Sequence, residues 1–257
     1  MSEVTLQLGD CVELMRTLDD NSVDAVITSP PYNYDLNYGE YLDSKKWDDY
    51  FDWLNVVWKE CYRVLKPGGR LMINIQPNWK EYVPTHSIIT SNIINIGFKW
   101  KSEILWEKNN YNCGYCTWGS WKSPASPYMK YTWEFVEVFC KDLMYKTGKK
   151  DDIDITGDEF KEWVTAKWSI VSETKMKEYG HPAMFPEELP RRLMKLFTYQ
   201  NDTILDPFMG CGTTGAVCVK NNRNFIGFEI DSTYFDKAKE RIDREIEASK
   251  FVQEELF

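Results

Sequence analysis

The sequence predicts an α/β fold: an open, mostly parallel sheet with one antiparallel hairpin, its strand–helix units standing in a permuted order. Three observations lead there. Val4 to Ile27 reads as strand, helix, strand; a second crossover unit runs from Asp48 to Ile75; and a glycine-rich strand-to-helix turn comes only after residue 203. With 257 residues, 43% of them hydrophobic, the chain suits one globular domain with room for an inserted lobe.

Val4 to Leu8 reads as a strand, Val12 to Leu18 as a short helix and Val23 to Ile27 as a buried strand. A loop follows from Asn33 to about Lys46. Phe51, Leu54, Val57, Cys61, Val64 and Leu65 then recur at helical spacing until Lys66-Pro67-Gly68-Gly69 stops the helix, and Arg70 to Ile75 resumes as a strand. His86 to Ile96 reads as a helix, and Trp100 to Trp106 with Phe135 to Cys140 as an antiparallel hairpin around a long aromatic loop. Lys146 to Glu178 is polar, with isolated Trp163 and Trp168, and carries no clear pattern. The remainder reads as a helix (Glu187 to Tyr199), strand (Thr203 to Leu205), helix (Thr213 to Lys220), strand (Asn224 to Glu229) and final helix (Ser232 to Glu247).

No apolar run approaches the roughly 20 residues of a membrane span, and the opening MSEVTLQLGDC lacks the basic-then-apolar pattern of a signal peptide. A cytoplasmic protein without membrane contact is expected. Seven scattered cysteines do not form a disulfide framework. Cys113 and Cys116 make a CxxC, but with only His86 and His181 and no second CxxC no metal site is expected. A net charge of −9 argues against general attraction to polyanions, yet Lys99 to Lys150 holds nine lysines against five acidic residues. That run is either a nucleic-acid face or a solvated lysine face.

The strand Val23 to Ile27 leaves through Thr28-Ser29-Pro30-Pro31-Tyr32. Two consecutive prolines exclude both a sheet ladder and a helix interior, so a rigid corner stands beyond the strand's carboxyl end, where open parallel sheets bind ligands. The later turn reads Gly210-x-Gly212-x-x-Gly215 between strand and helix, and Glu229 ends the next strand about 20 residues on, where a ribose expects a carboxylate. A nucleoside-containing cofactor follows. NAD is the usual reading of such a turn, and an oxidoreductase its consequence. Against it stand Asp206-Pro207-Phe208 before the glycines and the single clear strand after them, so the missing strands come from upstream.

Ser29-Pro30-Pro31-Tyr32 followed much later by Asp206-Pro207-Phe208-Met209-Gly210-Cys211-Gly212 and Gly227-Phe228-Glu229 resembles the amino-methylating DNA methyltransferases that use S-adenosyl-L-methionine, in their β-class order. Leu8-Gly9-Asp10, Leu65 to Gly69, Trp118 to Trp121 and His181 to Pro186 extend the resemblance over nearly the whole chain. It implies a Rossmann-like class I methyltransferase sheet, circularly permuted so that the catalytic half precedes the cofactor half. One domain, 1–257, would carry a small inserted target-recognition region at about 109–178. The implied cofactor is S-adenosyl-L-methionine, without metal; the implied partner is double-stranded DNA, joined by a second copy of the chain or a cognate restriction endonuclease, in a prokaryote or phage. By resemblance Glu229 holds the ribose hydroxyls and Asp10 the adenine amino group. The turn from Asp206 through Pro207, Gly210 and Gly212 carries the methionine part, with Thr28, Thr213 and Thr214 beside it. Phe208 lies against adenine, and the loop holding His181 and Phe185 closes over the site. Asp10 and Glu229 equally suit helix N-caps, and Asp206-Pro207 a structural turn.

An exocyclic amino group is a poor nucleophile, its lone pair delocalised into the ring, so it needs fixed acceptors for its N–H bonds as it becomes tetrahedral. The Ser29 hydroxyl and the Pro30 carbonyl supply two, and Pro31 helps hold them still. The base must leave the duplex, and stacking on Tyr32 repays part of that cost. Transfer is then direct. Cytosine carbon-5 chemistry would need a cysteine after a proline, and none exists here. Within the family the serine form of the motif goes mostly with cytosine N4, and the aspartate or asparagine form mostly with adenine N6, so N4 is expected and N6 is the alternative. Lys108, Trp118, Trp121, Lys122 and Lys130 either contact DNA or belong to a folded-down loop whose tryptophans cap the core. Lys146 to Glu178 is the candidate for target recognition. A catalytically silent DNA-binding module would not need Ser29, Tyr32 and the glycine turn together.

Overall fold

The computed structural model describes residues 2–33, 37–38, 41–42, 45–78, 81–109, 119–129, 131–174 and 184–254. Along the chain run β1 (Val4–Leu8), α1 (Cys11–Met15), β2 (Val23–Thr28), β3 (Asn37–Tyr38), β4 (Tyr41–Leu42), α2 (Trp47–Val64), β5 (Leu65–Ile75), α3 (Thr85–Ile96), β6 (Lys99–Glu107) and β7 (Trp133–Cys140). They are followed by α4 (Gly157–Trp163), β8 (Lys167–Ser169), α5 (Glu188–Phe197), β9 (Thr203–Asp206), α6 (Thr213–Lys220), β10 (Asn224–Glu229) and α7 (Ser232–Glu254).

Eight strands form one sheet in the order β1-β10-β9-β2-β5-β7-β6-β8. From β1 to β5 all neighbours are parallel; β7 runs antiparallel to β5 and β6, and β8 is parallel to β6. Every residue of β2 is buried, as a continuous apolar run covered on both faces demands. Its one charge, Asp24, accepts from Lys66 Nζ at 2.7 Å, Lys146 Nζ at 3.0 Å and the Thr203 N–H at 3.0 Å. Burial pushes its carboxyl up, but the two ammonium groups outweigh burial and hold it below the ordinary range.

Two cores cover the two faces. On one, Trp58, Leu54 and Cys61 of α2 pack with residues of α1 and α3; on the other, Leu193 of α5, Val217 of α6 and Ala238 of α7 pack together. The sheet therefore sits between helical layers, with the carboxyl ends of its parallel strands along one edge.

Two segments depart most from the sequence expectation. The helix before the Lys-Pro-Gly-Gly sequence ends at Val64, and β5 begins at once at Leu65. The ladder partners skip from Val23 with Leu65 to Ala25 with Arg70, so Lys66 to Gly69 form a wide bulge rather than a break. Gly68 has φ +79°, and a Cβ there would stand 2.6 Å from the Tyr145 carbonyl oxygen. The described part of the polar stretch after Lys146, which reaches residue 174, also carries regular structure. A capping box of Thr156 and Glu159 starts α4, and β8 extends the sheet. Trp163 and Trp168 are 3% and 1% exposed, so the isolated tryptophans are core residues. Arg191 and Arg192 lie over the Trp163 ring at 4.8 and 5.3 Å.

Candidate active site

Four adjacent strand ends converge. The β1 and β10 ladder pairs Leu8 with Glu229, which brings Asp10 beside Glu229; β9 delivers Asp206 and the glycine turn; β2 delivers Ser29 to Tyr32. All open on one cavity of about 280 Å³ at the carboxyl edge of the sheet. Ser29, Pro30, Pro31 and Tyr32 line it together with Asp206, Pro207, Phe208 and Gly210, although nearly the whole sheet separates them in sequence. Asp10, Phe185, Thr213 and Glu229 complete the expected lining. Thr28 and Thr214 reach it through Asp206, to which both are hydrogen-bonded, Gly212 does not line it, and His181 lies outside the described residues.

Glu229 is fixed by backbone. Its Oε2 accepts from the Gly210 N–H at 2.8 Å, and Oε1 from the N–H groups of Ile230 and Asp231, each at 3.0 Å. Burial raises its carboxyl above the ordinary range despite these donors. The carboxylate thus ties the glycine turn to the end of the neighbouring strand. Asp10 does what an acid before a helix commonly does: Oδ1 accepts from the Val12 and Glu13 N–H groups at 2.9 and 3.1 Å. Capping and cavity lining coexist in this one residue.

Asp206 clasps the two halves. Thr28 Oγ1 donates to its Oδ1 at 2.7 Å, Thr214 Oγ1 to its Oδ2 at 2.8 Å, and the Phe208 N–H to Oδ1 at 3.1 Å. Burial at 2% exposure pushes the acid up to about 6, against the pull of these three donors. Gly212, at φ +75°, brings the turn against α7: a Cβ there would lie 3.0 Å from that of Ala238.

The proline corner is equally held. The buried Tyr50 hydroxyl donates to the Pro31 carbonyl at 2.6 Å, which leaves that group engaged and the corner rigid. Ser29 Oγ has two acceptors in reach, Tyr32 Oη at 3.0 Å and the Asn74 carbonyl at 3.1 Å. Tyr32 in turn donates to Glu134.

Several site residues were not anticipated from sequence. Trp53 lines the cavity with its ring centroid 5.6 Å from that of Phe208. A large aromatic off the buried stripe of α2 was the available signal. Lys45 reaches the lining because Asn33 binds its backbone N–H and carbonyl at 2.8 and 2.9 Å, closing the base of the intervening loop. Asn74 and Glu134 had no local signal at all.

The expected DNA contacts divide. Lys108, expected either at the DNA or on a folded-down loop, pairs with Glu134 and lies 5.2 Å over the Trp106 ring. Trp121 is 70% exposed, with Lys122 Nζ 5.6 Å over its ring. Trp118, Lys130, Cys113 and Cys116 lie outside the described residues.

Two carboxylates at strand ends, a pair of aromatic rings and a glycine turn with its N–H groups held in place form a donor set that fits a nucleoside with a charged tail. A family profile described as DNA methylase matches residues 23–240. Type II methyltransferase M.MjaI of Methanocaldococcus jannaschii is 32% identical over 89% of this chain and 88% of its own. DNA adenine methyltransferase YhdJ of Escherichia coli is 31% identical over 98% and 86%. The solved structure of TTHA0409 from Thermus thermophilus, a candidate DNA modification methylase in complex with S-adenosyl-L-methionine, superposes with a TM-score of 0.74 at 27% identity, covering 95% of this chain and 96% of that one. PvuII DNA methyltransferase, cytosine-N4-specific, shares the fold with a TM-score of 0.67 at 21% identity. With the profile reaching across most of its length, this chain belongs to the DNA methylase family, enzymes that move the methyl group of S-adenosyl-L-methionine onto exocyclic amino groups of DNA bases.

Proposed function

We propose that the chain methylates the N4 amino group of a cytosine flipped out of duplex DNA. The observation that carries this reading is the state of the Ser29 hydroxyl. Its single hydrogen has two acceptors, both within the protein, so its lone pairs are left for an N–H bond in the cavity. A neutral hydroxyl accepts more weakly than a carboxylate, and in the family that this chain resembles the serine form of the motif goes mostly with cytosine N4. When bound, S-adenosyl-L-methionine supplies a methyl group on a sulfonium centre. Asp10, Glu229 and the turn from Asp206 to Gly212 orient that cofactor, and the Pro30 carbonyl offers the second acceptor for the target amine. The Tyr32 ring stacks on the base, its hydroxyl anchored behind.

Trp121 and Lys122 are proposed to meet the DNA, within a recognition region drawn from residues 109–178. A second copy of the chain and a cognate endonuclease are proposed partners, in line with the type II names of the relatives. No described helix is long and apolar enough to cross a membrane. The test is incubation with duplex DNA and labelled S-adenosyl-L-methionine, followed by digestion to nucleosides. N4-methyl-2′-deoxycytidine is expected; N6-methyl-2′-deoxyadenosine, a methylated adenine as in YhdJ's name, would overturn the choice of base, and no labelled nucleoside would overturn the activity.

A further inference from the structure

Behind the proline corner a line of polar groups runs from Ser29 to a buried carboxylate that does not line the cavity. Ser29 Oγ lies 3.0 Å from Tyr32 Oη, which donates to Glu134 Oε2 at 3.0 Å. Asn74 Nδ2 donates to Tyr32 Oη at 2.9 Å and to the same Glu134 oxygen. Lys108 Nζ pairs with the other, Oε1. Glu134 stands near the start of β7 and is 4% exposed.

The hydrogens in this line have one direction. A carboxylate only accepts, and Asn74 Nδ2 and the Lys108 ammonium only donate. Tyr32 Oη accepts from Asn74, so its own hydrogen goes to Glu134 and its remaining lone pair is open to the Ser29 hydrogen, whose other acceptor is the Asn74 carbonyl. The Tyr32 hydrogen therefore points to the acid, and both acceptors of the Ser29 hydrogen lie within the protein.

We propose that Glu134 takes up the proton that the methylated amine sheds, through Tyr32 and Ser29. This rests on the reading of Ser29 as the acceptor for the target amine. The amine nitrogen forms its bond to the methyl carbon with its lone pair, while the carbon–sulfur bond breaks and leaves its electron pair on sulfur. Nitrogen then carries one proton in excess. It passes to Ser29 Oγ as the Ser29 hydrogen moves to Tyr32 Oη and the Tyr32 hydrogen to Glu134 Oε2. One proton has moved in net terms, and both hydroxyls are neutral as before. Lys108 Nζ, on the other oxygen of the acid, is one-fifth exposed, and the proton leaves Glu134 for water before the next turnover. Glu134 acts through Tyr32 and is a positioning residue; it does not touch the base.

Glu134→Gln, Tyr32→Phe and the double variant are compared with the wild-type full chain in three measurements. These are single-turnover methylation of duplex DNA, equilibrium binding of DNA and of S-adenosyl-L-methionine, and ¹³C NMR of the free protein carrying ζ-¹³C tyrosine. Tyr32→Phe keeps the ring and removes only the hydroxyl. Both single variants are expected to slow transfer by about 100-fold or more, with both dissociation constants within about threefold of wild type. The double variant should be no slower than Tyr32→Phe alone, because the two act in one line. Glu134→Gln should also shift one tyrosine resonance, the one missing from Tyr32→Phe. A Glu134→Gln rate within about twofold of wild type, effects that multiply in the double variant, or an unmoved Tyr32 resonance would overturn the relay and leave the proposed function standing. Should Glu134→Gln fail to fold, Tyr32→Phe decides through its rate and a solvent deuterium isotope effect expected to fall below that of wild type; an unchanged rate and isotope effect overturn the relay. Wild type that binds both partners and transfers no methyl group overturns the proposed function, and the relay with it.

Discussion

Replacing Thr28 with valine removes one hydroxyl from a buried acid and keeps the side-chain shape. Thr28 is 1% exposed, and its Oγ1 gives Asp206 the shortest of its three hydrogen bonds, across 178 residues of sequence. A bond to a charged acceptor in such a place is worth about 1.5 to 3 kcal/mol, and one to the neutral acid about 1 kcal/mol. The sign of the pH dependence follows from burial. Asp206 is raised from its ordinary value to about 6, so the folded state is favoured by protonation. Its stability contribution is full below the unfolded value and is lost as pH rises through about 6. The Thr28 hydroxyl is one of the groups holding that value down, so its removal raises the acid further, at about 1.4 kcal/mol per pH unit. Urea unfolding should therefore show Thr28→Val losing about 1 kcal/mol near pH 5 and about 2 to 3 kcal/mol near pH 8. An equal loss at both, or a larger one at the lower pH, would refute the assignment of Asp206 as the acid that the clasp stabilises.

Gly212→Ala places a Cβ at a left-handed residue and 3.0 Å from Ala238, which should cost about 2 kcal/mol in a thermal melt. Asp154→Ala removes the carboxylate facing Arg223, whose side chain is fully buried; the uncompensated guanidinium should lower stability by about 3 to 5 kcal/mol in denaturant unfolding. Glu229→Gln turns an amide NH₂ towards either the Gly210 N–H or the Ile230 and Asp231 N–H groups, donor against donor. Calorimetry should show S-adenosyl-L-methionine binding weakened by about tenfold or more, and unchanged affinity would remove Glu229 from the cofactor site.

Elements with a strong period were legible in the sequence nearly to the residue. The helix from Thr213 and the strand from Asn224 lie where their spacing put them, and the two motifs far apart in order share one cavity. What escaped was information carried by partners distant along the chain. Trp163 and Trp168 sit in a polar stretch without a clear pattern, and only the place of Trp168 on the edge strand β8 and the arginines of α5 over both rings make them core residues. Lys108 reads as a surface cation, and only the position of Glu134 on the next strand turns it inward. Asp10 showed the reverse case, since a carboxylate after a strand and before a helix has two legible roles and the structure gives it both places.

The pairing of β1 with β10 has a consequence for how this sheet can come into being. Glu3 donates its N–H to the Asn224 side chain 221 residues away, and the ladder continues from there to Glu229. During synthesis β1 emerges without its sheet neighbour and must wait for β10. Contacts this distant are slow to form, and the unpaired strand edge is open to wrong partners in the interval. An arrangement that sets the catalytic corner early and the glycine turn late thus leaves the cavity unfinished until β10 has emerged, so a nascent chain stalled before residue 224 should be unable to hold the cofactor.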